Sequence, residues 1–319
     1  MDSITKNRLS KDILEQIVNH SFDGKEKLLS YAELPEGFCN VAYRLELSKN
    51  KQVILKVAPA GTIRMMSCEQ ELMRTEVSAM KLAKKNGIPG VAEIFAYDNT
   101  KTICSGQYFI MEQLEGESCD KAKQNMQEET KQKLDYQIGE LLHQVNQIKG
   151  ERFGHFCKPD LQNEVWFDAF YNMMDRVIAD GISVQIQIGV SYQEILQKLR
   201  EHKKYFEEVK EPRLIHFDSW DGNIFTKDGK IVGLIDWERA LWAEGLMEDR
   251  FRFHSVNKDF LQGYGKTEFT KAEKIRCMWY DVYLYLIMMF EGTFRHYETN
   301  DQYNWVHGLF EQVWGQLVV

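Results

Sequence analysis

The sequence predicts an α+β chain of two lobes, a small β-rich N-terminal part and a larger helical C-terminal part. Two observations carry this. Apolar or alternating runs at Tyr43–Leu47, Gln52–Val57, Val91–Tyr97 and Gln107–Glu112 crowd into the first third, with one long helical stretch among them. Beyond Gln113, apolar residues recur at helical spacing, as in Leu134, Ile138, Leu141, Val145 and Ile148. The division falls near Gln113, giving an N-terminal lobe of residues 1–113 and a C-terminal lobe of 114–319.

Within the first lobe, the N-terminus reads as a short charged helix. Ser48-Lys49-Asn50-Lys51 reads as the hairpin turn between the first two runs. The helix runs from about Cys68 to Lys85, stopped by Asn86-Gly87 with Pro89 beyond. Asp98-Asn99-Thr100-Lys101 reads as a second turn. In the second lobe, Phe153 to Val209 carries helical signals without a catalytic signature. Arg213–Ile215 and Ile231–Ile235 are short strands around a polar loop, and Met278–Phe290 is a buried helix interrupted by Asp281.

At 319 residues, with 44 % hydrophobic and 28 % charged residues, the chain can bury a substantial core. A net charge of −8 argues against a nucleic-acid binder. The longest apolar stretch is too short for a bilayer, so no membrane association is expected. Six scattered cysteines and no secretory segment predict reduced thiols and a cytoplasmic location, and no obligate protein partner is evident. The histidines show no zinc-ligand spacing.

The chemistry concentrates in Leu214-Ile215-His216-Phe217-Asp218-Ser219-Trp220-Asp221-Gly222-Asn223, followed by Gly233-Leu234-Ile235-Asp236-Trp237-Glu238. An apolar strand ends in an acid, an amide follows five positions later, and a second apolar strand ends in another acid. Phosphoryl transfer needs one carboxylate to orient a hydroxyl and take its proton, and further oxygen ligands to hold Mg²⁺. Asp218 is assigned as the base, and Asn223 and Asp236 as metal ligands. Lys56 ends an apolar strand where it can reach phosphates, and Glu76 on the next helix can hold it. An Asp–Asn turn, a solvated lysine and a surface glutamate are the bland alternatives, and the order in which the residues occur argues against them together.

This order of Lys56, Glu76, Met111–Leu114, His216-x-Asp218-x₄-Asn223 and Asp236-Trp237-Glu238 resembles the aminoglycoside phosphotransferase family of small-molecule kinases, from about Leu28 to Phe290. The resemblance implies a protein-kinase-like fold with a five-stranded sheet, a hinge at Glu112 and Leu114 that pairs with the purine, and ATP or GTP as co-substrate. It also implies a phosphate-covering loop at Pro35–Asn40, here with the single glycine Gly37. Phe217 stands where regulated protein kinases carry arginine, and no Ala-Pro-Glu segment follows Asp236. Glu248 takes the place of an aspartate that braces the catalytic loop.

The family fixes the reaction better than the acceptor. The expected acceptor is a small hydroxyl compound, aminoglycoside-like or otherwise cationic, with Glu238, Asp249 and Asp281 as its candidate ligands. That reading includes an antibiotic-modifying enzyme. Asp281, inside an apolar helix, needs either a protein donor or a substrate ammonium. The alternatives are a metabolic kinase of choline, homoserine or fructosamine type, and a catalytically silent nucleotide-binding protein on the same fold.

Overall fold

The computed structural model describes residues 6–35, 40–61 and 63–318. Five antiparallel strands form the first sheet: β1 (Leu28–Leu34), β2 (Val41–Leu47), β3 (Lys51–Val57), β4 (Ile94–Asp98) and β5 (Tyr108–Glu112), in the order β1-β2-β3-β5-β4. Two helices flank it, α1 (Lys11–Ser21) and α2 (Leu72–Lys85). Strand alternation sorts the two faces. Val53, Leu55 and Val57 of β3 join Tyr108 and Ile110 of β5 in a core beneath α1, which contributes Leu14, Ile17 and Val18. Ile54, Phe109 and Met111 face the other way, into the larger core shared with α2 and the helical lobe. Lys56 lies on that second face by the same period.

β1 has no counterpart among the strands read from the residues. It is an edge strand with five exposed central residues, so no alternating pattern marks it. The helix expected from Cys68 begins at Leu72, because Glu71 is left-handed at φ 66° and Ser67–Glu69 forms a separate 3₁₀ turn. The strand expected from Val91 begins at Ile94. At the hairpin, Lys49 and Asn50 both adopt positive φ, as a tight turn between β2 and β3 requires.

The second lobe opens with β6 (Glu117–Ser118) and α3 (Cys119–Ala122), then α4 (Glu128–Val145), β7 (Gly154–His155), α5 (Trp166–Ser183) and α6 (Tyr192–Glu201). β8 (Arg213–Ile215), β9 (Ile224–Lys227), β10 (Lys230–Leu234) and β11 (Leu241–Ala243) follow, then α7 (Lys258–Tyr264), α8 (Lys271–Phe294) and α9 (Asp301–Leu317). The short strands form two sheets, β10-β9-β6 and β7-β11-β8. The stripe Leu134, Ile138, Leu141 and Val145 is the buried face of α4, and Ile148 lies past the helix end. α8 starts at a Thr270–Glu273 capping box and is buried almost continuously from Trp279 to Ile287. The fold is thus α+β, two-lobed and protein-kinase-like. Among the described residues, no helix is long and apolar enough to cross a membrane.

α4 and α7 touch through two glycines. A Cβ on Gly139 would lie 2.3 Å from the Phe260 carbonyl oxygen, and one on Gly263 would lie 2.0 Å from that of Tyr136. Gly139→Ala must force the helices apart against backbone atoms. It should cost roughly 1–3 kcal/mol despite better helix propensity, seen as a lower urea midpoint.

His155 supplies a pH signature. Burial first, then the charges of Lys158 and Arg176, push its imidazole down to about 3. The unfolded chain takes this proton near pH 6.5 and the folded chain does not, so stability is lost as pH falls from about 6.5 toward 3. The melting temperature of His155→Gln relative to wild type should therefore rise between pH 7 and pH 5. A difference independent of pH would refute this.

Candidate active site

The site is built around Lys56. Its Nζ donates to Glu76 Oε1 at 2.5 Å and also to Asp236 Oδ1. The residue is buried, and Glu76 fully so. Burial opposes the ammonium's charge, but Asp236 and then Glu76 hold its pKa above the ordinary lysine value. Burial pushes the Glu76 carboxyl up, and Lys56 pulls it back. β3, α2 and the segment after β10 therefore meet at one buried cation.

β8 delivers the next loop. Phe217 takes a left-handed backbone at φ 64°, which is strained for a bulky residue. Glu248 holds it there: its carboxylate accepts the His216 N–H at 2.8 Å, the Phe217 N–H at 2.9 Å and Asn146 Nδ2 at 2.9 Å. The glutamate thus reaches the loop backbone from the bend between two short 3₁₀ turns, Gly245–Met247 and Asp249–Phe251. His216 is fully buried, and burial pushes its imidazole down to about 4. Its Nδ1 accepts the Asp218 N–H at 3.2 Å and its Nε2 lies 2.9 Å from the Ile235 carbonyl oxygen, so a neutral ring anchors the loop.

The next two residues continue the clamp. Asp249 accepts the Ser219 N–H at 3.0 Å and its hydroxyl, while Arg250 donates to the Ser219 carbonyl at 2.7 Å and to Asp221 at 2.7 Å. Lys123 reaches Asp221 from the other side at 2.8 Å. Asp218 itself stays partly open. Burial raises its carboxyl to about 7; Arg239 opposes the shift, and Asp249, Asp236 and Glu238 add to it.

Asn223 gives its Nδ2 to the Asp218 carbonyl at 2.8 Å, which turns Oδ1 away from that bond. Its backbone oxygen accepts the Ile235 N–H at 3.0 Å, tying the loop to the strand before Asp236. Asp236 is left-handed at φ 62°, with its side chain one-third exposed. A carboxylate and an amide oxygen are the hard donors that Mg²⁺ prefers, so these residues fit that ion.

The remaining expected residues are less uniform. Glu238 accepts from Asn40 Nδ2 at 2.6 Å. Gly37 lies outside the described residues. Glu112 pairs with Glu93 through its own N–H and through Oε2, and Leu114 packs against Gly233. Asp249 serves the catalytic loop. Asp281 takes the first of its two alternatives: it is 2 % exposed, accepts the Phe253 N–H at 3.1 Å and lies 3.6 Å from Arg252. Asp249 and Asp281 thus each already have protein donors. Sequence reasoning missed Arg239, which pairs with Glu291 at 2.9 Å beside Asp218. A cation three residues after Asp236 was its only signal.

A model of the phosphotransferase enzyme family matches residues 30–246. The chain belongs to that family. No curated protein sequence matches it. Among solved structures, a thermostable mutant of the aminoglycoside phosphotransferase APH(4)-Ia, in ternary complex with AMP-PNP and hygromycin B, aligns at TM-score 0.65 and 16 % identity. That alignment covers 94 % of this chain and 97 % of that one. The streptomycin–ATP–APH(2″)-IIa ternary complex aligns at TM-score 0.62 and 14 % identity, over 96 % and 97 %. A candidate fructosamine-3-kinase from Thermobifida fusca YX-ER1 aligns at TM-score 0.68 and 13 % identity, over 95 % and 98 %. At these identities the likeness is one of fold.

Glu248→Ala would leave two backbone N–H groups unpaired in the interior, along with the one Asn146 amide hydrogen not taken by the Leu214 carbonyl. Each such donor costs about 1–3 kcal/mol, so the variant should lose several kcal/mol in chemical denaturation. Glu248→Gln, which keeps one acceptor oxygen, should lose less. Equal stability of Glu248→Ala and wild type would refute the bracing role.

Proposed function

We propose that this phosphotransferase is a small-molecule kinase that moves the γ-phosphoryl group of ATP or GTP to a hydroxyl. The observation that carries the reading is the convergence of Lys56, Glu76 and Asp236 on one buried contact, with Asp218 and Asn223 held on the adjoining loop. The nucleotide lies between residues 1–113 and 114–319, with its purine against the Glu112–Leu114 backbone.

In this reading Lys56 neutralises phosphate charge, and Glu76 keeps its ammonium aimed. Asn223 and Asp236 hold Mg²⁺, which supplies charge neutralisation to the phosphates when bound. Asp218 orients the acceptor hydroxyl. The hydroxyl oxygen bonds to the γ-phosphorus, the bond from that phosphorus to the β–γ bridging oxygen breaks, and the hydroxyl proton passes to the Asp218 carboxylate. A carboxyl raised to about 7 is close to the pKa such a base needs near neutral pH. Positioning and electrostatics supply most of the acceleration.

A small-molecule acceptor accords with the family. All three acids of the cationic expectation meet protein donors: Glu238 meets Asn40, Asp249 meets Ser219 and Asp281 meets the Phe253 backbone. The described cysteines are free thiols, which suits the cytoplasm.

Asp218→Ala should lower turnover by roughly 10²–10⁴-fold, read as coupled ADP release over a panel of hydroxyl acceptors. Nucleotide affinity by calorimetry should stay close to wild type. Undiminished turnover would refute the assignment, as would wild-type protein that binds no nucleotide.

A further inference from the structure

α4 ends at Val145, and Asn146 directly behind it is 2 % exposed. Its Nδ2 donates to the Leu214 carbonyl of β8 at 2.8 Å and to Glu248 Oε1 at 2.9 Å. With both amide hydrogens given to acceptors, Oδ1 points the other way and needs a donor of its own. Tyr264, the last residue of α7, supplies it: the hydroxyl donates to Oδ1 at 2.6 Å. Burial, and then the charge of Glu248, raises the phenol's pKa above its usual value, so the hydroxyl keeps its proton.

The Tyr264 ring is held to this bond by its neighbours. Its centroid lies 4.9 Å from that of Phe251 and 5.4 Å from that of His143, both edge-on. α7 itself presses on α4 through the Gly139 and Gly263 contacts. Gly245 leaves the space that the hydroxyl occupies. A Cβ there would lie 2.5 Å from the Tyr264 hydroxyl oxygen and 3.1 Å from Asn146 Oδ1.

The line of hydrogen bonds runs on to a strained residue. Glu248 Oε1 is shared by Asn146 and the His216 N–H, while Oε2 takes the N–H of Phe217, whose φ is 64°. A bulky residue stays left-handed only while its surroundings over-determine it. Once Asn146 loosens, Glu248 loses a bond that sets its carboxylate plane. The Phe217 backbone is then free to relax and to carry Asp218 with it.

We propose that Tyr264 is a positioning residue: its hydroxyl fixes Asn146, Asn146 fixes the Glu248 carboxylate, and that carboxylate holds the backbone that presents Asp218. The effect on turnover rests on the kinase reading; the effect on the loop does not.

The test uses the full-length chain carrying Tyr264→Phe, which removes the hydroxyl and keeps the ring among its neighbours. Amide hydrogen exchange at His216 and Phe217 should quicken by roughly 3- to 10-fold, the equivalent of one hydrogen bond, while exchange within α9 stays as in wild type. Gly245→Ala crowds the same hydroxyl. It should quicken the same two amides by itself and add little in the Tyr264→Phe chain, where the space is free. Unchanged exchange at His216 and Phe217, faster exchange throughout the chain with α9 included, or full additivity of the two substitutions overturns the proposal.

Coupled ADP release over the acceptor panel gives the second readout. The kcat of Tyr264→Phe should fall by roughly 3- to 10-fold, with KM and nucleotide affinity near wild type. An undiminished kcat, or a loss confined to KM, overturns the positioning role. Faster exchange at the two amides in a protein that releases no ADP even as wild type supports the tether and defeats the kinase reading instead.

Discussion

The Lys56 ammonium sits between the carboxylates of Glu76 and Asp236, and those side chains come from the sheet, from α2 and from the segment after β10. Burial makes this arrangement all-or-none. Two carboxylates brought together inside a protein repel and lose hydration unless a cation lies between them. Removing one partner of such a buried pair typically costs 3–5 kcal/mol, because the survivors are left uncompensated. The contact therefore fixes how the two lobes meet, and in the proposed function the same atoms face the nucleotide phosphates. Stability and chemistry depend on one cluster.

That cluster keeps its geometry because α2 is tied to the second lobe at both ends. Before the helix, Ser67 bonds Asp180 of α5, Arg64 reaches Ser183, and Glu69 pairs with Arg295 in the interior. After it, the Gly90 carbonyl accepts the Leu234 N–H at 3.0 Å, and a Cβ on Gly90 would lie 3.0 Å from Gly233. Glu76 is thus presented to Lys56 by a helix anchored on both sides of the cleft. A regulated protein kinase must bring the equivalent helix into place, whereas here buried ion pairs and backbone contacts already do so. The absence of an arginine at Phe217 fits this: Glu248, a built-in acid, holds the loop backbone directly.

How much of this was legible follows the range of the interactions. β8 and the loop after it could be read because a strand, a turn and their acids are adjacent in sequence, and β3 could be read because Lys56 ends an apolar run. β1 was not legible, since an exposed edge strand owes its place to the ladder with β2 rather than to its own pattern. The start of α2 shifted because Glu71 is held left-handed just before it. Arg239 acquires meaning only beside Glu291, whereas Glu248 was picked out through the family resemblance and only its partners came from the fold. Asp249 and Asp281 show the converse. Their charge was visible, but the donors that occupy them came from distant segments.

The same distinction governs the electrostatics of the cleft. A net charge of −8 invites a cationic partner, but total charge counts acids that the scaffold already uses. Glu248 and Asp249 accept from the catalytic loop, Asp281 accepts from the Phe253 backbone, and Glu291 binds Arg239, Arg295 and Gln302. Each is neutralised or hydrogen-bonded before any ligand arrives. Recognition answers to the charge left over after folding.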